Sequence, residues 1–171
     1  TKEVPVEDGG GELQPDLATD LPTVSDDGLT YTFTIKPGIM YAPPLQDVEV
    51  TAQDFIRAIE READPKASSG GYPFYYSTIE GFDDYGAGKA DTITGMTAPD
   101  DHTLVVKITE PAGDLPWRFA MPATAPIPPN PSDPNAVLGV ADGHTTNYGR
   151  YLVSTGPYMF EKNDLGKSFS L

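Results

Sequence analysis

The chain has 171 residues and a formal net charge of -15, from 26 acidic and 11 basic side chains. A charge of this sign repels the phosphates of nucleic acids and anionic lipids, so we expect no nucleic acid partner. The absence of cysteine excludes disulfides, zinc-thiolate sites and thiol nucleophiles, but it leaves the cellular compartment open. With 38% hydrophobic residues the chain can bury one core, which indicates one domain or one lobe of a larger protein.

Both ends of the sequence indicate a piece of a longer protein. The first residues are charged and rich in glycine, without the apolar segment of a signal peptide. No run approaches the roughly 18 apolar residues that a membrane span needs. At the other end, Phe169 and Leu171 begin the alternation of a strand that stops in mid-pattern. A strand normally continues and pairs with a neighbour, so we expect a longer parent chain.

Four segments are predicted before the first helix. Residues 1–11 form an acidic arm, and a short helical turn follows over residues 13–21. After an Asp-Asp-Gly turn, apolar and polar residues alternate over 31–35, which is typical of a half-buried strand. The prolines within residues 39–50 predict an extended segment.

A helix is predicted to begin after Thr51. Thr51 can cap the first turn, and Asp54 occupies the third helical position, from which its carboxylate can bond back to the cap. Apolar residues then recur at helical spacing as far as Ala63, and Asp64-Pro65 ends the pattern.

A short helix and a second strand are predicted in the middle of the chain. Residues 73–81 have proline at the start and glycine at the end, the usual asymmetry of a short helix. Apolar and polar residues alternate again over 104–108, after a turn at Asp100-Asp101. Because the segments 31–35 and 104–108 each have one apolar face to bury, we predict that both lie in the same sheet.

The last third combines one short helix with proline-rich sequence. A helix over residues 115–121 is predicted to bring Trp117 and Phe119 into the core. The prolines between residues 126 and 134 exclude a central strand or helix there. A further strand is predicted around residues 158–160.

No catalytic or metal-binding motif is present, and we predict no catalytic residue, no metal and no cofactor. His102 and His144 are the only histidines, and neither has the spacing of a metal ligand, so both are interpreted as loop or turn residues. The serines in the sequence KASSGG lack the first glycine of a nucleophile elbow.

Paired carboxylates leave two alternative functions open. The pairs at residues 83–84 and 100–101 are typical of solvated turns. An acidic hydrolase that uses Asp83 with Asp101 is one alternative, and it predicts a pocket that holds both carboxyl groups. An adhesion module stabilised by calcium is the other.

Tyr72, Phe74, Tyr75 and Tyr76 form an aromatic cluster. Tyrosine combines an apolar ring with one polar hydroxyl and therefore suits the wall of a ligand site. The same residues also suit the packing of a short helix into a core. From the residues alone, both interpretations of the cluster stay open.

Several motifs occur in a fixed order between Pro15 and Phe160. They are a Leu-Ala segment, an Asp-Gly turn, a Tyr-x-Phe-x-Ile strand, a Val-Thr-Ala-x-Asp-Phe helix start, an Asp-Asp-His-Thr turn and a Thr-Gly-Pro-Tyr turn, beginning at Leu17, Asp27, Tyr31, Val50, Asp100 and Thr155. In this order the chain resembles the extracellular solute-binding proteins of family 5, the oligopeptide, dipeptide and nickel receptors of ABC importers.

The resemblance implies a mixed α/β (α+β) fold of the type II periplasmic-binding-protein class. Members of the family have two large lobes around a ligand cleft, with a smaller subdomain inserted in the N-terminal lobe. On this basis residues 1–23 are the N-terminal segment of the main lobe, residues 24–153 are the inserted subdomain, with a mixed sheet and short helices, and residues 154–171 are the return strand into the main lobe.

The resemblance also implies a function without catalysis. The parent protein would capture peptides or similar solutes and deliver them to the permease subunits of an ABC importer. We expect a monomer with an extracytoplasmic location, in the periplasm or as a cell-surface lipoprotein. Tyr75 and Tyr76 are the residues expected to contact solute, because they follow the first helix where the family's subdomain approaches the cleft.

Overall fold

The computed structural model of the chain describes residues 2–3, 11–43, 45–66, 72–129, 155–156, 158, 162–164 and 167–170. The strands are β1 (Lys2–Glu3), β2 (Leu13–Gln14), β3 (Thr23–Val24), β4 (Thr30–Thr34), β5 (Met96–Asp100), β6 (Thr103–Lys107), β7 (Lys162–Asp164) and β8 (Ser168–Ser170). The helices are α1 (Ala52–Ala63), α2 (Phe82–Gly86) and α3 (Leu115–Arg118), with 3₁₀ helices at Pro73–Tyr75 and Pro122–Thr124. This combination of helices and antiparallel strands confirms the predicted mixed fold class.

A four-stranded sheet, in the order β3-β4-β6-β5, organises the fold, and all of its strand pairs are antiparallel where a mixed sheet was predicted. In its centre Tyr31 of β4 lies opposite Val106 of β6, and Phe33 lies opposite Leu104. All four side chains are buried on the same face of the sheet. The prediction that these two strands share a sheet is therefore confirmed, because alternation gave each of them one apolar face to bury.

Strand β5 is not predicted from the sequence, because residues 96–100 carry threonine, proline and aspartate instead of an alternating apolar pattern. It lies at the edge of the sheet, where Met96 pairs with Val106 of β6, and its register shifts between Thr97 and Asp100. Pro99 is tolerated there because an edge strand does not need every backbone donor. Pairing with β6, more than the preference of its own residues, therefore makes residues 96–100 a strand.

Residues 39–50 fold back on themselves instead of remaining extended, so this prediction is wrong. Met40 and Glu49 form an antiparallel bridge, and the backbone N–H of Val50 donates to the carbonyl of Ile39 at 2.8 Å. Proline fixes its own φ angle but does not set the direction in which the chain returns.

Helix α1 begins and ends where the sequence predicts. The backbone N–H of Thr51 donates to Oδ2 of Asp54 at 3.0 Å, which satisfies one donor at the helix start. The helix ends at Ala63, with Asp64 in an extended conformation at its C-cap. Helix α1 packs against α2, β5 and β6, and its Ile59 is fully buried in the core.

The predicted helical turn over residues 13–21 is wrong. This segment contributes β2, and further along Ala18 forms a β-bridge with Ile35. The backbone N–H of Thr19 also donates to the carbonyl of Thr34 at 2.8 Å. Pairing with the end of β4 satisfies backbone groups that a helical turn would have used locally.

Helix α3 is shorter than the predicted helix at residues 115–121. Because it makes only one turn, Leu115 is the helical residue that is fully buried, and Trp117 remains 38% exposed. The expectation that Trp117 reaches the core is therefore wrong. Phe119, just beyond the helix, does pack against the core and stacks on Phe33 with ring centroids 5.0 Å apart.

The short helix predicted over residues 73–81 is limited to the 3₁₀ helix at Pro73–Tyr75. Two further predictions concern the C-terminal region and the subdomain boundaries. The strand predicted at the C-terminus is present as β8, which pairs antiparallel with β7. Tyr158 lies in no strand, and Phe160 lies outside the described residues. The predicted subdomain boundaries stay a prediction, and strand β3 spans the first of them, between residues 23 and 24, while pairing with β4.

Candidate functional site

Three aromatic side chains are exposed around the 3₁₀ helix at Pro73–Tyr75. Tyr72 is 37% exposed, Tyr75 44% and Phe74 80%. The ring of Tyr75 lies between the other two, with centroid distances of 5.8 Å to Phe74 and 6.3 Å to Tyr72. We refer to these residues as the three-ring surface. Exposed neighbouring rings with polar tips offer an apolar contact area and hydrogen-bonding groups to a ligand.

Tyr76 has a different position from Tyr75, although the two are adjacent in sequence. Its side chain is fully buried, and its ring meets that of Phe119 edge-on at 6.3 Å. Its hydroxyl donates to the backbone carbonyl of Arg118 at 3.1 Å. Burial raises the pKa of this hydroxyl well above its ordinary value, with smaller contributions from Glu62 and Tyr72. The buried ring therefore leaves Tyr76 no surface with which to touch a solute directly.

A salt bridge along α3 contacts residues within the segment 72–78, which we call the aromatic turn, and sequence reasoning missed it. Nε and Nη2 of Arg118 each donate to one carboxylate oxygen of Asp114, both at 3.0 Å. Nη1 of Arg118 donates to the carbonyl of Tyr75 at 2.8 Å and contacts the hydroxyl of Thr78 at 3.3 Å. We call this arrangement the Arg118-Asp114 clamp. The four-residue spacing of Asp114 and Arg118 was visible in the sequence, but the contact with Tyr75 was not.

A cavity of about 400 Å³ is lined by residues other than Tyr72, Phe74 and Tyr75 of the three-ring surface. Apolar side chains of the sheet, helix α1 and the chain after α3 form most of it. The residues are Asp16, Leu17, Ala18, Phe33, Ile35, Phe55, Leu104, Phe119, Ala120, Met121, Pro122, Thr124, Ala125, Pro126, Thr155 and Gly156. Such a lining suits an apolar group and offers few polar atoms for chemistry.

The carboxylates proposed for a hydrolase do not form a site. Asp83 on α2 and Asp101 in the β5-β6 turn are both exposed, and neither lines the cavity described above. His102 lies in the same turn, with Nε2 4.0 Å from Oε1 of Glu49, and His144 falls outside the described residues. Within the described ranges, no three His, Asp or Glu side chains come together in a way that could hold a metal ion.

None of the helices described here has the length and apolar character that crossing a membrane would require.

Sequence comparison connects the chain to a known family. The profile described as "Bacterial extracellular solute-binding proteins, family 5 Middle" matches residues 12–171. The oligopeptide-binding protein AliB of Streptococcus pneumoniae is 35% identical over 171 aligned positions, which cover 90% of this chain and 24% of AliB.

Solved structures show the same relationship. The murein tripeptide binding protein MppA of Escherichia coli superposes with a TM-score of 0.67 at 28% identity, covering 90% of this chain and 28% of MppA. The OppA protein of Haemophilus influenzae, solved in complex with the peptide RPPGFSPFR, gives a TM-score of 0.68 at 25% identity, with the same two coverages.

These similarities confirm the predicted fold class, a mixed α/β part of a type II periplasmic-binding-protein-like fold. The chain spans about a quarter of the length of the relatives that it matches. Because the family profile matches nearly all of the sequence, the chain belongs to the bacterial extracellular solute-binding proteins of family 5.

Proposed function

We propose that this chain is part of a receptor that captures peptides or similar solutes outside the cytoplasm and delivers them to the permease subunits of an ABC importer. The observation that carries the proposal is the family 5 match over residues 12–171. Several of the relatives are named for peptide binding, as with the oligopeptide-binding protein AliB and the peptide complex of OppA. A receptor of this kind closes around its solute and needs no catalytic group of its own.

Within that receptor, the three-ring surface is our proposed contribution to the solute site. Tyr75 is its central ring and presents both a ring face and a hydroxyl. Rigid aromatic side chains provide contact area at a low cost in conformational entropy, which suits solutes of varied sequence. Tyr76 supports this site without contacting solute, since its buried ring packs on Phe119 and its hydroxyl donates to the carbonyl of Arg118 in α3.

Several properties of the whole protein follow from the same proposal. We infer that the receptor is not an enzyme, that it works as a monomer, and that it lies in the periplasm or on the cell surface as a lipoprotein. Its net charge of -15 supports the expectation that it does not bind nucleic acid. Residues 24–153 would form the inserted subdomain of the N-terminal lobe, with residues 1–23 and 154–171 belonging to the main lobe.

The proposal is tested with the full-length parent protein and an equimolar mixture of defined peptides of two to nine residues. Native mass spectrometry of the mixture should show complexes with one peptide per protein, and the peptides should be recovered intact. Cells that lack the permease should fail to take up the bound peptides. Cleavage of the peptides, or the absence of any complex, would refute the receptor proposal.

The contribution of the three-ring surface is tested separately with Tyr75→Ala in the same protein. Removal of the central ring should weaken peptide binding by roughly 5- to 30-fold, as expected for an aromatic contact worth about 1–2 kcal/mol. Lys89→Ala is the matched surface control, since Lys89 is exposed and pairs only weakly with Asp84, with 3.8 Å between the charged atoms. Equal peptide affinities for the two variants would show that Tyr75 does not contact solute.

A further inference from the structure

We propose that Arg118, held by Asp114, is a positioning residue that fixes Tyr75, the central ring of the three-ring surface, in the orientation in which it meets solute. The inference rests on the proposed function, because it assigns a role to Arg118 only if Tyr75 contacts the peptide. The residues concerned are far apart in sequence, with Arg118 43 positions after Tyr75. Their contact is therefore a product of the tertiary fold.

The aromatic turn has little local structure of its own. The 3₁₀ helix has three residues, and its hydrogen bonds run from the N–H of Tyr75 to the carbonyl of Tyr72 and from that of Tyr76 to the carbonyl of Pro73, both at 3.0 Å. Helical segments this short are not stable without outside contacts. The orientation of the rings must therefore be set by whatever the turn is attached to.

Arg118 provides that attachment through a guanidinium group whose own orientation is fixed. The two parallel bonds to Asp114 hold the plane of the guanidinium, and this bidentate geometry is more specific than a single contact. The side chain of Arg118 is only 18% exposed, whereas that of Asp114 is 61% exposed. Nη1 is thereby directed at the carbonyl of Tyr75, the residue that carries the central ring.

A second bond runs in the opposite direction between the same two elements. The hydroxyl of Tyr76 donates to the carbonyl of Arg118, so the side chain of the turn reaches α3 while the side chain of α3 reaches the turn. Thr78, the other contact of Nη1, is in turn joined to the chain after β6, since its carbonyl accepts from the N–H of Thr109 at 2.9 Å. These anchors involve backbone carbonyls and the side chains of Tyr76, Thr78 and Arg118, while the three rings stay between 37% and 80% exposed.

The consequence for binding is preorganisation. Without the clamp, the ring of Tyr75 would have to be ordered when the peptide binds, and the immobilised side chain costs part of the binding free energy. We expect Arg118→Met in the full-length receptor to weaken binding of the peptide mixture by roughly 2- to 10-fold, from the usual cost of ordering one side chain. Arg118 itself need not touch the peptide for this effect.

The experiment is a double-mutant cycle that measures peptide affinity and thermal unfolding together. Affinities for the peptides of the mixture are determined by native mass spectrometry for the unmodified protein, Tyr75→Ala, Arg118→Met and the double variant. If Arg118 acts through Tyr75, Arg118→Met should weaken binding in the unmodified protein and have almost no effect once Tyr75 is alanine. A purely structural role would lower the melting temperature without this non-additivity in affinity.

Two further variants keep the test decisive if Arg118→Met folds poorly. Arg118→Lys retains the charge but cannot form the two bonds to Asp114. Asp114→Asn weakens this two-bond contact while leaving the guanidinium in place. Both variants should weaken peptide binding when Tyr75 is present and have almost no effect once Tyr75 is alanine. Lys89→Ala should leave the affinity unchanged in both backgrounds.

The outcomes separate this inference from the proposed function. Additive losses in affinity, with Tyr75→Ala weakening binding as expected, would overturn the positioning role and leave the solute contact intact. An unchanged affinity for Tyr75→Ala would overturn the solute contact and the positioning role together. Non-additive losses confined to variants of the clamp would support the inference.

Discussion

Asp54 and Arg57 form a buried ion pair one turn apart on helix α1. Oδ1 of Asp54 accepts a hydrogen bond from Nη1 of Arg57, while Oδ2 accepts from the hydroxyl of Tyr41 at 2.9 Å. Arg57 also donates to the carbonyl of Ile127 at 3.1 Å, so the pair joins the helix to the proline-rich segment. Asp54, predicted to bond back to the helix cap, therefore also takes part in connecting three separate parts of the chain.

Asp54→Ala should destabilise the chain by about 3–5 kcal/mol, because it leaves the buried guanidinium of Arg57 without its carboxylate. Urea unfolding followed through the fluorescence of Trp117, the sole tryptophan, measures the free energy of unfolding. Asp83→Ala removes an exposed carboxylate and should change that free energy by less than about 0.5 kcal/mol. Similar values for the two variants would mean that the buried pair does not stabilise the fold.

Glu60 should make the chain less stable as the pH rises from about 4.5 to about 7. Burial raises the pKa of its carboxyl from 4.5 to about 7, and Arg57 opposes this shift only in part. Between those two pH values the folded state binds more protons than the unfolded state, so the free energy of unfolding falls with pH, by an amount on the order of 2–3 kcal/mol. Above pH 7 the contribution of Glu60 no longer changes.

Glu60→Gln tests this dependence, since the amide has the same shape and does not ionise. The variant should be more stable than the original chain at pH 8 and should lose the decline in stability between pH 5 and pH 7. Glu110→Gln, at an exposed position, serves as the control. A slope that persists in Glu60→Gln would assign the pH dependence to other groups.

Gly95→Ala should destabilise the fold by about 1–3 kcal/mol through overpacking. A methyl group at this position would lie 2.7 Å from the carbonyl oxygen of Lys107 and 2.8 Å from that of Glu80. The carbonyl of Glu80 accepts from the N–H of Gly95, and the carbonyl of Lys107 accepts from the N–H of Glu80, so neither can move aside easily. Gly113→Ala is the matched control, because nothing lies within 4 Å of the added methyl group. Gly95→Ala should therefore have a clearly lower melting temperature than Gly113→Ala.

Tyr76→Phe and Tyr75→Phe should differ in stability although the residues are neighbours. Tyr76→Phe loses the buried bond to the carbonyl of Arg118 and should cost about 1 kcal/mol. Tyr75 is 44% exposed, so removing its hydroxyl should change the free energy of unfolding by less than about 0.5 kcal/mol. Urea unfolding of both variants checks the assignment, and equal losses would contradict it.

The two central strands and the main helix of the fold were predictable from short stretches of sequence. The alternation over residues 31–35 and 104–108 predicted two strands of one sheet, and Thr51 with Asp54 predicted the start of α1. These signals are local, because each depends on the spacing of residues within one strand or one helical turn. Strand β5 escaped prediction because its pairing with β6 overrides the weak preference of its own residues.

The candidate site was predictable only in part. The aromatic cluster was visible as a group, but the structure exposes Tyr75 and buries Tyr76, and the Arg118-Asp114 clamp joins the turn to a helix distant in sequence. No spacing rule connects residues so far apart.

For this protein the sequence by itself determined the strand faces, the capped helix, the acidic surface and the motifs of its family. The tertiary structure alone decided that residues 39–50 turn back, that Trp117 faces outward, and which of two adjacent tyrosines stays in contact with solvent. The physical reason is the range of the interactions: backbone preferences and periodicity act over a few residues, whereas burial depends on which distant segments pack on each other.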